Sequence, residues 1–225
     1  AFDLNIHVHR LLMDEPFFAA LSRRMDKRAT NAIPTAGVTV TEEGKLQMVY
    51  NPKFFAPLSD EARKDILKHE FYHIVFQHVT GGRFLSFRDM APNERKIHNI
   101  AMDLAINSHL PHLPEMACVA GRGPFAHLEG FKTAEHYLRE LRKMQKDPPE
   151  GGEGEGEGGE GQPGGGQPGE GQGQGNGNPL DGMDSFDDHS GWDEMDDQTK
   201  QIAEERIKEF VKDAVEEANN SSRGW

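Results

Sequence analysis

The sequence has a single cysteine and no long apolar run, and each shortage excludes a class of protein. Cys118 has no second cysteine to pair with, so the chain cannot form an internal disulfide. No apolar segment approaches the roughly 20 residues that a transmembrane helix needs. No basic segment followed by an apolar run marks a signal peptide either. We therefore expect a cytoplasmic protein that does not enter a membrane.

Positive charge is also scarce, and it is unevenly distributed. The formal net charge is −13, whereas a protein that binds nucleic acid by neutralising phosphates needs a basic surface. Residues 1–150 carry a net charge of +1, residues 151–178 carry −5 and residues 179–225 carry −9. We therefore expect no nucleic-acid partner, a nearly neutral folded part and an acidic tail.

A shift in composition divides the chain. Residues 151–178 contain 15 of the 25 glycines and no apolar side chain, so this segment cannot bury enough surface to offset the entropy of ordering. We expect one domain over residues 1–147, a flexible linker or surface loop over 148–178, and an acidic segment over 179–225. That last segment ends in a predicted amphipathic helix, residues 199–219, which should pack on the core through Ile202, Ile207, Phe210, Val211 and Ala214.

The apolar pattern within the first domain predicts mainly helices. Helical spacing and terminating residues indicate helices over residues 2–13, 17–25, 59–80, 93–109 and 133–146. Basic residues near the end of the second helix, Arg23, Arg24, Lys27 and Arg28, are predicted to be a solvated helix end. Alternating apolar residues over 37–50 indicate a β-hairpin. The expected fold class is α+β, mainly helical, with a small antiparallel hairpin.

The helix over residues 59–80 carries the motif His-Glu-x-x-His at residues 69–73. Positions four apart lie about 40° apart around a helix, so His69 and His73 can both reach one ion. This spacing is typical of zincins, in which two imidazoles bind zinc and the glutamate, here Glu70, activates a zinc-bound water. Most of the helix is apolar, and buried polar groups need partners that a metal would supply. The alternative is a hydrogen-bonded pair of core histidines without metal.

A third ligand is needed, and the next helix offers a polar stripe. Asn99, Asp103 and Asn107 repeat every four residues among apolar neighbours. A buried carboxylate needs a counter-charge, so Asp103 is the predicted third zinc ligand, and the two asparagines are predicted to orient the ligands. His78 would face away from His69 on a continuous helix, which predicts a structural role. The remaining alternative ligands are His98, His109, His112 and Glu94.

These motifs in combination resemble a family of bacterial and phage proteins that carry a "putative metallopeptidase domain", often together with a von Willebrand factor A-like domain. The matching residues beyond 69–73 are His78, Arg88-Asp89, Asn99 to Asn107, Pro34-Thr35, Asn51-Pro52, Ala134-Glu135 with Tyr137, and Asp188-His189 with Trp192. The resemblance implies a zincin-like domain with Glu70 as the catalytic glutamate. One departure is His98, which stands where the family pattern leads us to expect an aromatic residue before Asn99.

Three functions remain open on the sequence. The first is a zinc metallopeptidase, a hydrolase acting on peptides or proteins, with oxyanion stabilisation from His98, His112, Tyr137 or His189. The second is a catalytically silent, zinc-stabilised binding module whose site is closed by a fourth ligand such as His189. The third is a regulatory module whose acidic segment binds a basic surface on another protein or covers its own active site.

The predicted hairpin bears on the first of these functions. Zincins commonly place a sheet beside the active-site helix, and its edge strand pairs with an extended peptide substrate. Residues 37–50 are the candidate for that edge. The alternative is an ordinary small sheet that covers the core.

Overall fold

The computed structural model describes residues 2–41, 43, 45–79, 90–146 and 197–222. Several predicted features lie outside these residues. They are the linker over 148–178, the acidic stretch over 179–196 with His189 and Trp192, the Arg88-Asp89 pair and the Gly81-Gly82 helix stop.

The described residues form an α+β fold that is mainly helical, as predicted. The elements in chain order are α1 (Leu4–Leu11), α2 (Pro16–Arg23), β1 (Asp26–Ala29), β2 (Ala36–Val40), β3 (Leu46–Tyr50), α3 (Pro52–Phe55), α4 (Asp60–Val75), α5 (Pro92–Asn107), α6 (Ala134–Lys146) and α7 (Asp197–Ser222), with a short 3-10 turn at Gly123–Phe125. No helix in these ranges is both long and apolar enough to cross a membrane.

The sheet is mixed, with strand order β1-β3-β2. The predicted hairpin is confirmed, because β2 pairs antiparallel with β3 and places Val38 opposite Met48. An unpredicted strand, β1, pairs parallel with the other side of β3. The sequence analysis predicts the antiparallel hairpin but not this third, parallel strand. Within the described residues β3 is central, and β2 is the half of the hairpin that forms an edge.

Strand β1 also corrects the interpretation of the basic residues. Lys27 and Arg28 belong to this strand and not to a helix end. The ammonium of Lys27 donates to the carbonyl of Ser22 at 2.6 Å, in the last turn of α2, and to that of Met25 at 3.0 Å, just after the helix. Burial lowers the pKa of Lys27 to about 8, which is not the behaviour of a solvated lysine. The strand was missed because Asp-Lys-Arg-Ala has no apolar alternation, and only the backbone ladder to β3 defines it.

Helix α4 lies at the centre of the fold. Ser59 caps its N-terminus, with the hydroxyl accepting a hydrogen bond from the amide of Ala62 at 3.2 Å. The helix contacts α1, α2, α5, α7 and β2, and Ile66, Leu67, Phe71 and Ile74 are fully buried. Contacts on several sides explain why apolar residues surround this helix and why its polar residues are buried too.

Helix α4 ends at Val75, five residues before the predicted end at residue 80. The amide of Gln77 donates to the carbonyl of Ile74 at 2.9 Å and that of His78 to the carbonyl of His73 at 2.8 Å. This pair of bonds is a Schellman motif. It needs a left-handed residue, and Gln77 takes that role with φ of 59°. The sequence contains no glycine at this position to signal the stop.

We expect Gln77→Gly to stabilise the fold, because glycine adopts positive φ without the steric penalty of a side chain. The free energy of unfolding should rise by about 0.5–1 kcal/mol, measured by urea denaturation. Gln201→Gly is the matched control, since Gln201 is exposed within α7 and should lose about 1 kcal/mol. Destabilisation by Gln77→Gly would contradict the left-handed helix stop.

Helix α7 folds back onto the first part of the chain. It packs against α2, and Glu217 pairs with Arg23 and with Arg24, the latter at 2.6 Å. Ala203, Ile207 and Ala214 are buried and Phe210 and Val211 are partly buried, whereas Ile202 is 44% exposed. The predicted packing face is therefore right except for Ile202. At least part of the acidic tail has its basic partner within the same chain.

Candidate metal centre

Helices α4 and α5 bring three metal-ligating side chains together in the core. His69 and His73 from α4 and Asp103 from α5 are all 0% exposed. The two Nε2 atoms lie 2.9 Å apart, and Oδ1 of Asp103 lies 3.7 Å from Nε2 of His69 and 3.5 Å from that of His73. The helical spacing of 69 and 73 puts both imidazoles on one face, and α5 supplies the carboxylate opposite them.

The donor atoms fit a zinc ion in kind and in spacing. Two imidazole nitrogens and one carboxylate oxygen match the three-ligand sets of catalytic zinc sites. Tetrahedral bonds of about 2.0–2.1 Å separate ligand atoms by roughly 3.3–3.4 Å, and the three separations here lie on either side of that value. Within the described ranges, no fourth His, Cys, Asp or Glu joins this group.

The hydrogen bonds of Asn107 determine which nitrogen of His69 faces the cluster. The amide nitrogen of Asn107 lies 2.8 Å from the carbonyl of Cys118, which can only accept, so this nitrogen must be the donor. The other amide atom is then the oxygen, and it lies 2.7 Å from Nδ1 of His69. Nδ1 therefore carries the proton, and the lone pair of Nε2 points toward His73 and Asp103. The predicted orienting role of Asn107 has this geometric basis.

His73 contacts His78, a residue that was not predicted to touch the metal centre. The Schellman turn brings His78 back onto α4, with Nδ1 3.1 Å from Nδ1 of His73. This leaves Nε2 of His73 facing His69 and Asp103. The prediction that His78 faces away was wrong because it assumed a continuous helix through residue 78. The side chain of His78 is buried, with 5% of its surface exposed.

Glu70 follows His69 on α4 and is also 0% exposed. Both of its carboxylate oxygens are buried. Helices α4 and α5 therefore bury two carboxylates, those of Glu70 and Asp103, together with the two imidazoles. A concentration of ionisable groups in a core is expensive unless they serve a metal or a reaction.

A family model covers almost the whole chain. The model, described as "Putative metallopeptidase domain", matches residues 3–223. The chain belongs to this family. No curated protein and no solved structure matches the chain. Family membership and the His69, His73 and Asp103 cluster together indicate a metal-binding protein.

The alternative ligands from α5 and beyond lie outside the cluster in this family member. Nδ1 of His98 lies 2.7 Å from the carbonyl of Glu94. The ring of His109 lies against Tyr72 and Phe131. These contacts hold His98 and His109 in place within the fold and not at the metal centre.

His112 and Tyr137 also have partners of their own. The backbone amide of His112 donates to the buried carboxylate of Asp65 at 2.7 Å, and its Nδ1 lies 3.3 Å from the same oxygen. The hydroxyl of Tyr137 donates to the carbonyl of Glu129 at 2.8 Å. Asp65 was not predicted from the sequence, although its position four residues before His69 places both side chains on the same face of α4.

Proposed function

We propose that the chain is a zinc-dependent peptidase whose metal is held by His69, His73 and Asp103. The observation that carries this proposal is the convergence of two imidazole Nε2 atoms and one carboxylate oxygen in a fully buried group. The family description and a donor set of three within the described residues support a catalytic site over a closed structural one. Residues 1–147 are the proposed catalytic domain, and α7 is the part of the acidic segment that packs on it.

When bound, zinc supplies a Lewis acid that polarises a carbonyl and makes water nucleophilic at neutral pH. Glu70 takes a proton from the attacking water and returns it to the leaving amine. Asn107 orients the imidazole of His69 and His78 orients that of His73, each by a contact with Nδ1 of the ring.

The substrate is proposed to be a peptide or protein in an extended conformation. Strand β2 is an edge of the sheet in the described chain and contacts α4, so it can pair with a substrate strand beside the site. For oxyanion stabilisation we favour His112, because its ring is 54% exposed and pairs with Asp65. Asp65 lies on α4 four residues before His69. The contacts of His98 and Tyr137 with backbone carbonyls leave them less suited to this role.

The test is metal analysis combined with cleavage of a broad peptide library by the full chain. We expect about one zinc per chain and cleavage that stops when a chelator removes the metal and returns when zinc is added back. Purified protein without metal would overturn the proposed site. A zinc-loaded protein that cleaves no peptide would favour a zinc-stabilised binding or regulatory module.

Asn107 offers a separate test of the site. We expect Asn107→Leu to weaken zinc binding by about 10–100-fold, because His69 loses the hydrogen bond that orients its ring. Competition with a chromogenic chelator measures this change. Asn93→Leu is the control, since Asn93 is exposed in the first turn of α5. Equal zinc affinity in both variants would contradict the role of Asn107.

A further inference from the structure

A cavity with a volume of about 560 Å³ lies between the turn after α4, the end of α5 and the start of α6. We call it the aromatic cavity, and its lining includes Phe76, Gln77, His78, His109, Phe131 and Lys132. Its volume is in the range of roughly 300–1,000 Å³ that is typical of ligand sites.

The aromatic cavity adjoins the candidate metal centre through His78. This side chain lines the cavity and places its Nδ1 3.1 Å from Nδ1 of His73. Ala105 on α5 and His109 just after that helix line the same cavity. A group bound in the cavity therefore lies beside His78, the side chain that contacts the imidazole of the proposed zinc ligand His73.

The walls present aromatic surface to solvent. Phe131 is 70% exposed and Phe76 is 39% exposed. Phe131 makes an edge contact with His109 at 5.1 Å between ring centroids, and Phe76 lies 5.7 Å from His78. Exposed aromatic side chains that line a cavity are typical of binding sites for apolar groups.

Backbone strain marks the same place. Among the described residues, Gln77 and Phe131 are the two non-glycine residues with positive φ, each at 59°. Both line the aromatic cavity. Backbone strain of this kind clusters at functional sites. The two strained residues come from separate segments of the chain, so a single irregular loop does not explain both.

The charged side chains that line the aromatic cavity favour an apolar ligand over an acidic one. Lys132 is the lysine in the lining, and its ammonium is 2.9 Å from the carboxylate of Glu129. This pairing leaves little charge to select an acidic side chain, and Glu135 in the lining disfavours one further.

We propose that the aromatic cavity binds a large apolar or aromatic side chain of the peptide substrate, on the side of the candidate metal centre where His78 lies. The inference rests on the proposed peptidase function and deepens it, because it names the substrate class. Phe131 and Phe76 supply the contact area, and His78 links the occupied cavity to His73.

Binding can be measured without turnover in a zinc-loaded Glu70→Gln protein. The probes are fluorescent decapeptides in an alanine, glycine and lysine background, with either Phe or Ala at one central position. We expect the Phe peptide to bind about tenfold more tightly and Phe131→Ala to remove most of that ratio. Ile6→Ala is the control, since Ile6 is 73% exposed on α1 and its loss should leave the ratio unchanged.

A second variant, Phe76→Ala, should lower the same ratio, and thermal melts check that each variant folds. Equal binding of the Phe and Ala peptides overturns the inference. Cleavage assays with unsubstituted Glu70 then separate the two proposals. Zinc-dependent cleavage without preference for Phe overturns the cavity and leaves the peptidase. Phe-dependent binding without any cleavage supports the cavity as a side-chain site and overturns the peptidase.

Discussion

Replacing Glu70 by glutamine should lower kcat/KM for peptide cleavage by about 10²–10⁴-fold, the usual contribution of a general acid–base group. Glutamine keeps the size of the side chain but cannot accept the proton from water. Since Glu70 is not a proposed ligand, zinc content should stay near that of the unsubstituted protein. The fold should also persist, because an amide is less costly than a carboxylate in a fully buried position.

The same substitution at Glu61 is the matched control. Glu61 lies in the first turn of the same helix and is exposed, so Glu61→Gln should retain activity. Initial rates on one library peptide, with zinc measured in each sample, separate loss of chemistry from loss of metal. Undiminished activity in Glu70→Gln would remove Glu70 from the proposed mechanism while leaving the metal site in place.

Replacing His73 by alanine should remove most of the zinc. Structural zinc sites with four ligands bind the metal with free energies of roughly 10–16 kcal/mol, which is about 3 kcal/mol per ligand. Loss of His73 should therefore lower zinc affinity on the order of a hundredfold. Dialysis against a weak chelator followed by metal analysis measures the loss. The melting temperature should fall as well, because zinc binds the folded state and His73 is fully buried.

Two further variants show whether that loss is specific. His127→Ala should keep its zinc, because His127 is exposed and outside the cluster. Asp103→Asn preserves the size of the third proposed ligand and removes its charge, so it should weaken zinc binding with less disturbance of packing. Full zinc occupancy in His73→Ala or Asp103→Asn would contradict the proposed ligand set.

Helical periodicity explains why His69, His73 and Asp103 could be found without coordinates. An i, i+4 pair always lies on one face of a helix, and an acidic residue in an apolar helix must face a partner. The structure brings these three residues together, whereas their role as ligands remains a prediction. The same reasoning failed for His78, because the end of α4 depends on a left-handed Gln77 that the sequence does not signal.

The sequence by itself determined the mainly helical α+β fold, the hairpin and the residues that meet at the candidate metal centre, since local periodicity encodes each of them. Tertiary structure alone decided the parallel strand β1, the contact of His78 with His73 and the aromatic cavity. Each of these joins segments that are distant along the chain or that meet across a turn. Their geometry depends on packing and backbone hydrogen bonds, and no short sequence window contains that information.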